Sequence, residues 1–373
     1  MSQQILVATR KGLFVLERRA APQSEWWKIK TTAFLGHPVT MVLADARDGS
    51  LYAALNLGHF GVKLHRSRDG GENWQECAVP VYPPQPENLP PPENEYTKVA
   101  PWSLVQIWSL ESDRGSQAGG VWAGTIPGGL FHSADGGQSW NLVRSLWDRS
   151  ERLRWFGGGY DYPGIHSISV DPRDSNHLTV AVSCGGVWKT RDRGETWDCA
   201  SQGMRAAYMP PEQQNDPVIQ DPHRLVHSET NPDVMWVQHH NGIFRSIDGA
   251  ASWQEITGVQ PSAFGFAVAV HPADPQTAWF VPAIKDECRL PVDARLVVTR
   301  TRDGGKTFEA LGRGLPQENC YHLVYRHCLE VDASGQTLAL GSTTGGLWTS
   351  DDQGDSWDAS FAHLPPIYCV RMA

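Results

Sequence analysis

Short segments in which apolar and polar residues alternate recur along the whole chain. The stretches 128–132, 185–189 and 345–349 each begin with Gly-Gly and continue with the alternation that is typical of a half-buried strand. One further strand precedes each stretch, and before it lies a segment such as residues 165–170, Ile-His-Ser-Ile-Ser-Val. The pattern therefore predicts a repeated unit of four strands, which we call A, B, C and D in chain order.

A turn motif separates strands C and D in six of these units. It is an octet close to the pattern Ser/Thr-x-Asp-x-Gly-x-Ser/Thr/Asn-Trp/Phe, and its copies begin at intervals of 49 to 66 residues. In such a turn the aspartate accepts backbone N–H groups, the glycine supplies a positive φ, and the ring packs between neighbouring units. We therefore assign a structural role to the aspartates of all six copies: Asp69, Asp135, Asp192, Asp248, Asp303 and Asp352.

The A strands show how the chain closes. Six are predicted, at residues 40–45, 108–113, 166–171, 223–228, 266–271 and 327–332. A seventh, residues 368–371, lies at the C-terminus with no strand after it, whereas residues 5–16 read as strands B and C and residues 26–29 as strand D, with a degenerate octet between them. We predict an all-β protein, one seven-bladed β-propeller over residues 1–373 with four-stranded blades, in which the N- and C-terminal strands share one blade.

Composition agrees with this fold class and argues against two classes of binding partner. The 36 Gly and 26 Pro imply many tight turns rather than long helices, and 40% hydrophobic residues with 16 Trp supply a core. The net charge of -9 argues against nucleic-acid binding. No apolar run is long enough for a signal peptide or a membrane span, so we expect no membrane partner and a cytoplasmic protein. The seven cysteines lack CxxC spacing and are expected to be mostly buried thiols.

The six octets resemble those of the BNR/Asp-box propellers, which include sialidases, xyloglucanases, sortilin ectodomains and photosystem assembly factors of the Ycf48 kind. Residues 156–166 and 204–212 are similar to bacterial proteins known as glycosyl hydrolases or exo-α-sialidase-like proteins. The resemblance implies the propeller fold and a site near the central channel. Sialidases carry an Arg-Ile-Pro signature in an early blade, but residues 8–12 here read Ala-Thr-Arg-Lys-Gly. The sialidase catalytic signature is therefore missing.

In a propeller the A-strand starts and the B-to-C loops meet at one face, the mouth of the central channel, where ligands usually bind. The repeat alignment places seven residues at equivalent A-strand starts: Thr40, Trp108, His166, His223, Phe266, His327 and Tyr368. We expect His166, His223 and His327, with His239 or His240, to bind a divalent metal or to act as catalytic acids and bases. The alternative is that these histidines only form hydrogen bonds between blades.

Other candidates surround the predicted mouth. We assign Tyr162 to catalysis with the three histidines, and substrate binding to Arg10, His59, Trp108, His239, Lys285, Arg289 and Tyr368. The insertion at residues 283–295 reads either as a lid with a carboxylate clamp or as a solvated loop. Long D-to-A connections at residues 79–101, 147–163 and 204–222 lead to the same face, and their aromatic residues could stack on sugar rings or anchor the loops themselves.

Two functions follow from this arrangement. The first is a hydrolase-like or lyase-like enzyme that acts on a sugar or another small polar molecule in a histidine-lined mouth. The second is a non-catalytic scaffold that recognises a peptide or protein partner on the same face. An enzyme predicts a deep polar pocket with a metal or anion among the histidines, whereas a scaffold predicts a channel filled by side chains.

Overall fold

The computed structural model describes residues 2–19, 26–89 and 98–373. These residues form seven sheets, each of four antiparallel strands. The innermost strand of each sheet neighbours the innermost strands of the next and the previous sheet, so that the sheets close into a ring. The protein is a seven-bladed β-propeller, and the predicted fold class is confirmed.

The first four blades use these strands. Blade 1 contains β1 (Gln4–Thr9), β2 (Gly12–Arg18), β3 (Trp27–Ala33) and the last strand of the chain. Blade 2 contains β4 (Val39–Asp45), β5 (Ser50–Asn56), β6 (Val62–Ser67) and β7 (Gln75–Cys77). Blade 3 contains β8 (Gln106–Ser112), β9 (Val121–Ile126), β10 (Leu130–Ser133) and β11 (Asn141–Leu142). Blade 4 contains β12 (Ile165–Val170), β13 (Leu178–Val182), β14 (Gly186–Thr190) and β15 (Asp198–Cys199).

The remaining strands complete the ring. Blade 5 contains β16 (Pro222–His227), β17 (Met235–His239), β18 (Gly242–Ser246) and β19 (Gln254–Ile256). Blade 6 contains β20 (Gly265–Val270), β21 (Ala278–Pro282), β22 (Val298–Thr301) and β23 (Glu309–Leu311). Blade 7 contains β24 (Leu329–Val331), β25 (Leu338–Gly341), β26 (Leu347–Ser350) and β27 (Asp358–Phe361), and the last strand, β28 (Ile367–Met372), belongs to blade 1.

Helical structure is confined to short segments of the described chain. They are α1 (Arg144–Trp147) and the 3-10 turns Gly58–Phe60, Ser150–Arg154, Pro217–Ile219 and Val292–Ala294. Within the described ranges no helix has the length and apolarity needed to cross a membrane. All seven cysteines are unpaired, and five of them are buried, as expected.

The two ends of the chain form one blade, as the sequence predicts. Strand β28 pairs with β1, so that Val370 lies opposite Val7 and Cys369 opposite Ala8. The Arg10 N–H also donates to the Pro366 carbonyl at 2.8 Å. This pairing gives the inner strand of blade 1 a partner and closes the ring. The degenerate octet predicted between β2 and β3 lies largely outside the described residues.

Burial follows the position of each strand in its blade. All residues of the inner strands β12 and β20 are buried, because neighbouring blades cover both of their faces. The outer strand β3 buries Trp27 and leaves most of its other side chains exposed. The second strands of four blades place a large buried ring at the same register position, where it packs between blades: Tyr52, Trp122, Trp236 and Trp279.

The six turn octets, residues 67–74, 133–140, 190–197, 246–253, 301–308 and 350–357, share one hydrogen-bond pattern. In the last of them the Ser350 hydroxyl donates to Asp352 Oδ1 at 2.8 Å and accepts the Gly354 N–H at 2.8 Å. Asp352 also accepts the N–H of Ser356 at 2.8 Å and its hydroxyl at 2.5 Å. The fifth residue has a positive φ in every copy, including Ala250 at 64°. The octets are therefore self-contained turns, as the pattern predicts.

Candidate functional site

Side chains fill the channel at its mouth. Four of the residues predicted to lie there, Trp108, His166, His223 and His327, are between 0 and 7% exposed. Trp108 packs edge-on against His166, with 5.4 Å between ring centroids. His327 donates from Nε2 to the His166 carbonyl at 2.7 Å. The mouth is therefore a packed layer of aromatic and imidazole rings.

The three predicted metal ligands His166, His223 and His327 do not converge. His166 bonds through Nδ1 to the Ser167 hydroxyl at 3.0 Å, and its Nε2 is buried without a hydrogen-bond partner. His327 donates across the channel to the backbone of β12 in blade 4, because the channel is narrow enough for the ring to reach. Burial lowers the pKa of both imidazoles well below the usual value. Only His223 of the three has other ligand-type side chains around it.

His223 instead belongs to a group that we call the mouth triad: Asp221, His223 and His240. Within the described residues this is the group of three potential metal ligands whose donor atoms all lie within 4.8 Å of one another. Asp221 Oδ2 lies 3.5 Å from His223 Nε2 and 3.3 Å from His240 Nδ1. Asp221 directly precedes β16, and His223 is the second residue of that strand, at the point where its pairing with β17 shifts register.

The backbone holds each member of the triad in place. The Cys184 N–H donates to Asp221 Oδ1 at 3.2 Å. His223 Nδ1 donates to the Gly265 carbonyl at 2.7 Å, which leaves Nε2 directed at Asp221. The His240 N–H donates to the Asp221 carbonyl at 3.0 Å, so the turn between β17 and β18 returns to the start of β16. Blade 5 therefore supplies all three side chains, and backbone groups of blades 4 and 6 hold two of them.

Charge and burial oppose each other within the triad. Burial alone would raise the pKa of Asp221, but His223 and His240 hold it well below the usual range. Burial lowers the pKa of His223 despite the nearby carboxylate. His240 is less buried, and Asp221 raises its pKa above the usual value. The triad thus combines a carboxylate with two imidazoles in different electrostatic states.

Arg326 is the second chemical feature of the mouth. It is 8% exposed, it forms no ion pair within the described part of the chain, and its Nε has no hydrogen-bond partner. Its guanidinium carbon lies 5.0 Å from the Trp108 ring centroid and 5.4 Å from that of Phe266. Phe266 in turn stacks on His223 at 4.6 Å, which links Arg326 to the triad. Asp221 offsets part of the cost of burying this guanidinium, and a bound anion would offset more of it.

Several predicted binding residues do border this cluster. Arg289 lies 5.4 Å over the Phe266 ring, and it also pairs with Asp286 at 2.5 Å. Tyr368 packs near Tyr325, with 6.4 Å between ring centroids. The predicted residue His239 supports the triad from behind, since its Nε2 accepts the Asp221 N–H at 3.1 Å. Burial lowers the pKa of His239 to about 3, so this imidazole is neutral.

Other predicted residues lie apart from the triad. His59 is exposed and contacts Phe60. Lys285 pairs with Glu287 at 3.6 Å in an exposed part of the insertion. Arg10 is exposed, and Tyr162 is half-buried without a described contact to the triad. The long connection at residues 79–101 falls partly outside the described residues, but its Tyr82 is buried as an anchor.

Sequence reasoning missed Asp221 and Arg326. The signal for Asp221 was its position two residues before the predicted site residue His223. Arg326 directly precedes His327 at an A-strand start. Its lack of a counter-ion depends on loops from other blades, and no local pattern shows that.

The opposite end of the channel has a different character. A cavity of about 830 Å³ lies there, between the ends of the inner strands. Its residue Arg371 pairs with Glu111 at 2.8 Å and with Glu330 at 3.2 Å. One guanidinium thus pairs with two carboxylates here, and a second buried arginine of this cavity, Arg224, forms no direct ion pair among the described residues. This end therefore differs from the mouth in its open cavity.

Comparisons with known proteins return relatives that share the fold and differ in activity. No protein-family model matches the chain. A xyloglucanase from Paenibacillus sp. is 22% identical over 160 residues, which are 37% of this chain and 15% of that protein. The photosystem II assembly lipoprotein Ycf48 from Synechococcus sp. is 25% identical over 186 residues, 50% of this chain and 43% of the relative. The chain thus spans less than half the length of these curated relatives.

Solved structures give the same two groups. An ancestral GH74 enzyme has a TM-score of 0.59 at 18% identity, with 86% of this chain and 38% of that chain covered. A structure of YCF48 bound to D1 peptide has a TM-score of 0.51 at 16% identity, with 87% and 83% covered. YCF48 from Cyanidioschyzon merolae has a TM-score of 0.53 at 11% identity, with 87% and 85% covered. At these identities the likeness shows the propeller fold alone.

Proposed function

We propose that the mouth binds a small sugar-like or other polar molecule that carries a carboxylate, and that the protein acts on it as a hydrolase-like or lyase-like enzyme. One observation carries the proposal: Arg326 is buried beside the mouth triad and forms no direct ion pair with a described residue. A guanidinium binds a carboxylate through two parallel hydrogen bonds, and the pair is strong where water is excluded. The ligand therefore completes a charge pair that the protein leaves open.

One exposed ring near the guanidinium suits a sugar: Tyr160, which is 45% exposed. Trp108 and Phe266 flank the guanidinium, and Tyr160 packs edge-on against Trp108 with 5.0 Å between ring centroids. Aromatic faces bind the apolar faces of sugar rings. A carboxylate on Arg326 would bring the neighbouring atoms of the ligand towards Asp221 and His240, which are groups of the kind that transfer protons. The named xyloglucanase and GH74 neighbours support a carbohydrate class of ligand.

Calorimetry with matched sugars tests this proposal. We expect glucuronate and galacturonate to bind, while glucose and galactose bind at least tenfold more weakly. Arg326→Met should remove the preference for the acidic sugars, and Arg205→Met, which changes an exposed arginine paired with Glu255, should keep it. Equal binding of acidic and neutral sugars, or an unchanged preference in Arg326→Met, contradicts the proposal. Mass spectrometry of oligosaccharides that contain uronic acids then separates hydrolysis, which adds water, from elimination.

A peptide-binding scaffold is the second candidate, and the packed mouth favours it. A scaffold predicts a channel that is filled by side chains, and buried rings fill this channel at its mouth. The match with this chain covers more than four fifths of the length of each of the two YCF48 structures, and one of these structures contains a peptide. Peptides with a free C-terminal carboxylate belong in the same calorimetric series. Binding of such peptides without binding of sugar acids would select the scaffold.

A further inference from the structure

We propose that Asp221, His223 and His240 form a binding site for one zinc ion. Two imidazole nitrogens and one carboxylate oxygen are a ligand set that zinc uses in catalytic sites, where three protein ligands leave one position for water or substrate. The triad supplies this set from one strand start and one turn. The inference concerns the same mouth as the proposed function, but metal binding itself does not require that function.

The distances inside the triad fit shared ligands better than direct hydrogen bonds. The His223 nitrogen lies 3.5 Å from Asp221 Oδ2, and the His240 nitrogen lies 3.3 Å from the same oxygen. Charge-assisted N–H···O bonds are usually about 2.7 to 2.9 Å long. Two ligands that each lie about 2.0–2.1 Å from a tetrahedral ion are separated by roughly 3.3 Å. The two distances from Asp221 to the imidazoles therefore match edges of a zinc tetrahedron, and the three ligand atoms all lie within 4.8 Å of one another.

The surroundings fix the ligand atoms as a metal site requires. Metal-binding histidines usually donate their second ring N–H to a carbonyl or carboxylate, which sets the tautomer and the ring orientation. His223 does this to the Gly265 carbonyl at 2.7 Å, so its Nε2 is left to coordinate. Asp221 receives the Cys184 N–H on Oδ1, and this leaves Oδ2 facing both imidazoles. Two of the three ligands are thus oriented without the metal.

The neighbouring His239 shows why His240 is the ligand of this pair. Both ring nitrogens of His239 face backbone N–H groups, of Asp221 at 3.1 Å and of Asn241 at 3.3 Å. A neutral imidazole accepts at one nitrogen, so His239 accepts one of these two N–H groups, and both of its nitrogens face the backbone. His240 instead packs against Tyr208, with 4.7 Å between ring centroids, and presents Nδ1 to Asp221. One turn thus contributes one supporting and one coordinating imidazole.

Elemental analysis of the full chain, purified without a polyhistidine tag, tests the inference. We expect about one zinc per chain after dialysis, or after removal of metal by a chelator followed by addition of zinc. The Asp221→Asn and His240→Gln variants should retain less than a tenth of this content. His59→Gln, which changes an exposed histidine outside the triad, should retain all of it. Circular dichroism confirms that each variant is folded.

Cobalt substitution gives a readout that does not depend on the variants. A tetrahedral site with nitrogen and oxygen ligands gives intense visible absorption with Co²⁺, which the wild-type protein should show and which zinc should abolish. A wild-type chain that takes up neither zinc nor cobalt overturns the inference, as does equal zinc content in Asp221→Asn. If such a zinc-free protein still binds sugar acids, only the metal site is contradicted. If the protein binds zinc but no sugar acid, only the proposed function is contradicted.

Discussion

The turn octets and the mouth of the channel use aspartate in opposite ways. Each octet aspartate accepts its hydrogen bonds from its own eight residues, as Asp352 does from Ser350 and Ser356. Asp221 accepts from Cys184 in one blade and faces two imidazoles of the next. The octet repeats six times with the same bonds, whereas the mouth triad occurs once. An aspartate whose partners are all local is therefore structural, and one whose partners come from several segments is a candidate for function.

A lowered pKa does not separate the two cases. Hydrogen bonds from Ser139, which outweigh the small effect of burial, lower the pKa of Asp135 in an octet to about 2. The histidines likewise hold the pKa of Asp221 well below its usual range. The direction is the same, but the octet carboxylate is stabilised by donors that no ligand can replace. Perturbed carboxylates thus identify a functional site only together with the origin of their partners.

The largest effect should come from the ring that ends an octet. Trp357 is 4% exposed in the interface between blades 7 and 6, and its backbone N–H donates to the Arg313 carbonyl at 2.9 Å. Trp357→Ala should lower the free energy of unfolding by about 3–5 kcal/mol, because it leaves a large cavity. Urea unfolding measures this loss. Zinc content should not change in the folded protein, since the octets lie at the other end of the blades from the mouth.

Trp357→Phe is the matched control. The indole N–H of Trp357 has no hydrogen-bond partner in the structure, so phenylalanine removes volume without breaking a bond. It should therefore cost clearly less than alanine. If Trp357→Ala reduced zinc content in the folded protein as much as Asp221→Asn does, the separation between the octets and the mouth would be lost.

The next largest effect is expected for Arg326→Met, which should weaken ligand binding without lowering the stability of the fold. Arg326→Met should weaken binding of a sugar acid by about 10-fold to 150-fold, because a charge-assisted pair contributes about 1.5–3 kcal/mol. The same change removes a buried, unpaired charge, so the melting temperature should stay the same or rise. Calorimetry and thermal unfolding measure the two quantities. A clear loss of stability would mean that Arg326 is a structural residue of the same kind as those in the octets.

The sequence was sufficient for the fold because the octets and the inner strands repeat. Each octet marks the end of a C strand, and the strand without a following blade, residues 368–371, could only pair with the unpartnered strand at residues 5–9. Propeller geometry then follows from ring closure. The prediction placed the A strand of blade 7 from His327, but β24 begins at Leu329, and His327 contacts Cys369 through a single bridge instead.

The site was only partly predictable, because the seven A-strand starts occupy the same position in the repeat but have different neighbours in the structure. His166 and His223 occupy the same repeat position, yet the first bonds to its neighbour Ser167 and the second faces Asp221. The choice between His239 and His240 depends on the turn between β17 and β18, which the alternation of residues does not specify. The rings that pack on Arg326 come from two other blades, Trp108 from blade 3 and Phe266 from blade 6. Repetition thus predicts positions, and it does not predict partners.

A smaller effect is expected for the octet aspartates themselves. Asp352→Ala should lower the free energy of unfolding by about 1 kcal/mol, the usual contribution of a side chain that caps backbone N–H groups. Asp352→Asn keeps one acceptor oxygen and should cost less. Urea unfolding measures both losses, and sugar-acid binding by the same variants should equal that of the wild type. An Asp352→Ala variant with full stability but weakened binding would invert the comparison between octets and mouth.

The smallest effect is a dependence of stability on acid pH that belongs to the octets. Hydrogen bonds from Thr307 lower the pKa of Asp303 to about 2, from an ordinary value of 3.8. Because the folded-state pKa is the lower one, this stabilisation is fully present above about pH 4 and is lost as the pH falls towards 2. The difference in urea midpoint between wild type and Asp303→Asn should therefore be constant from pH 7 to 5 and shrink below pH 4. A difference that stays constant down to pH 2 would show that the octet binds the protonated aspartate equally well, and the local hydrogen bonds would then not be selective for its charge.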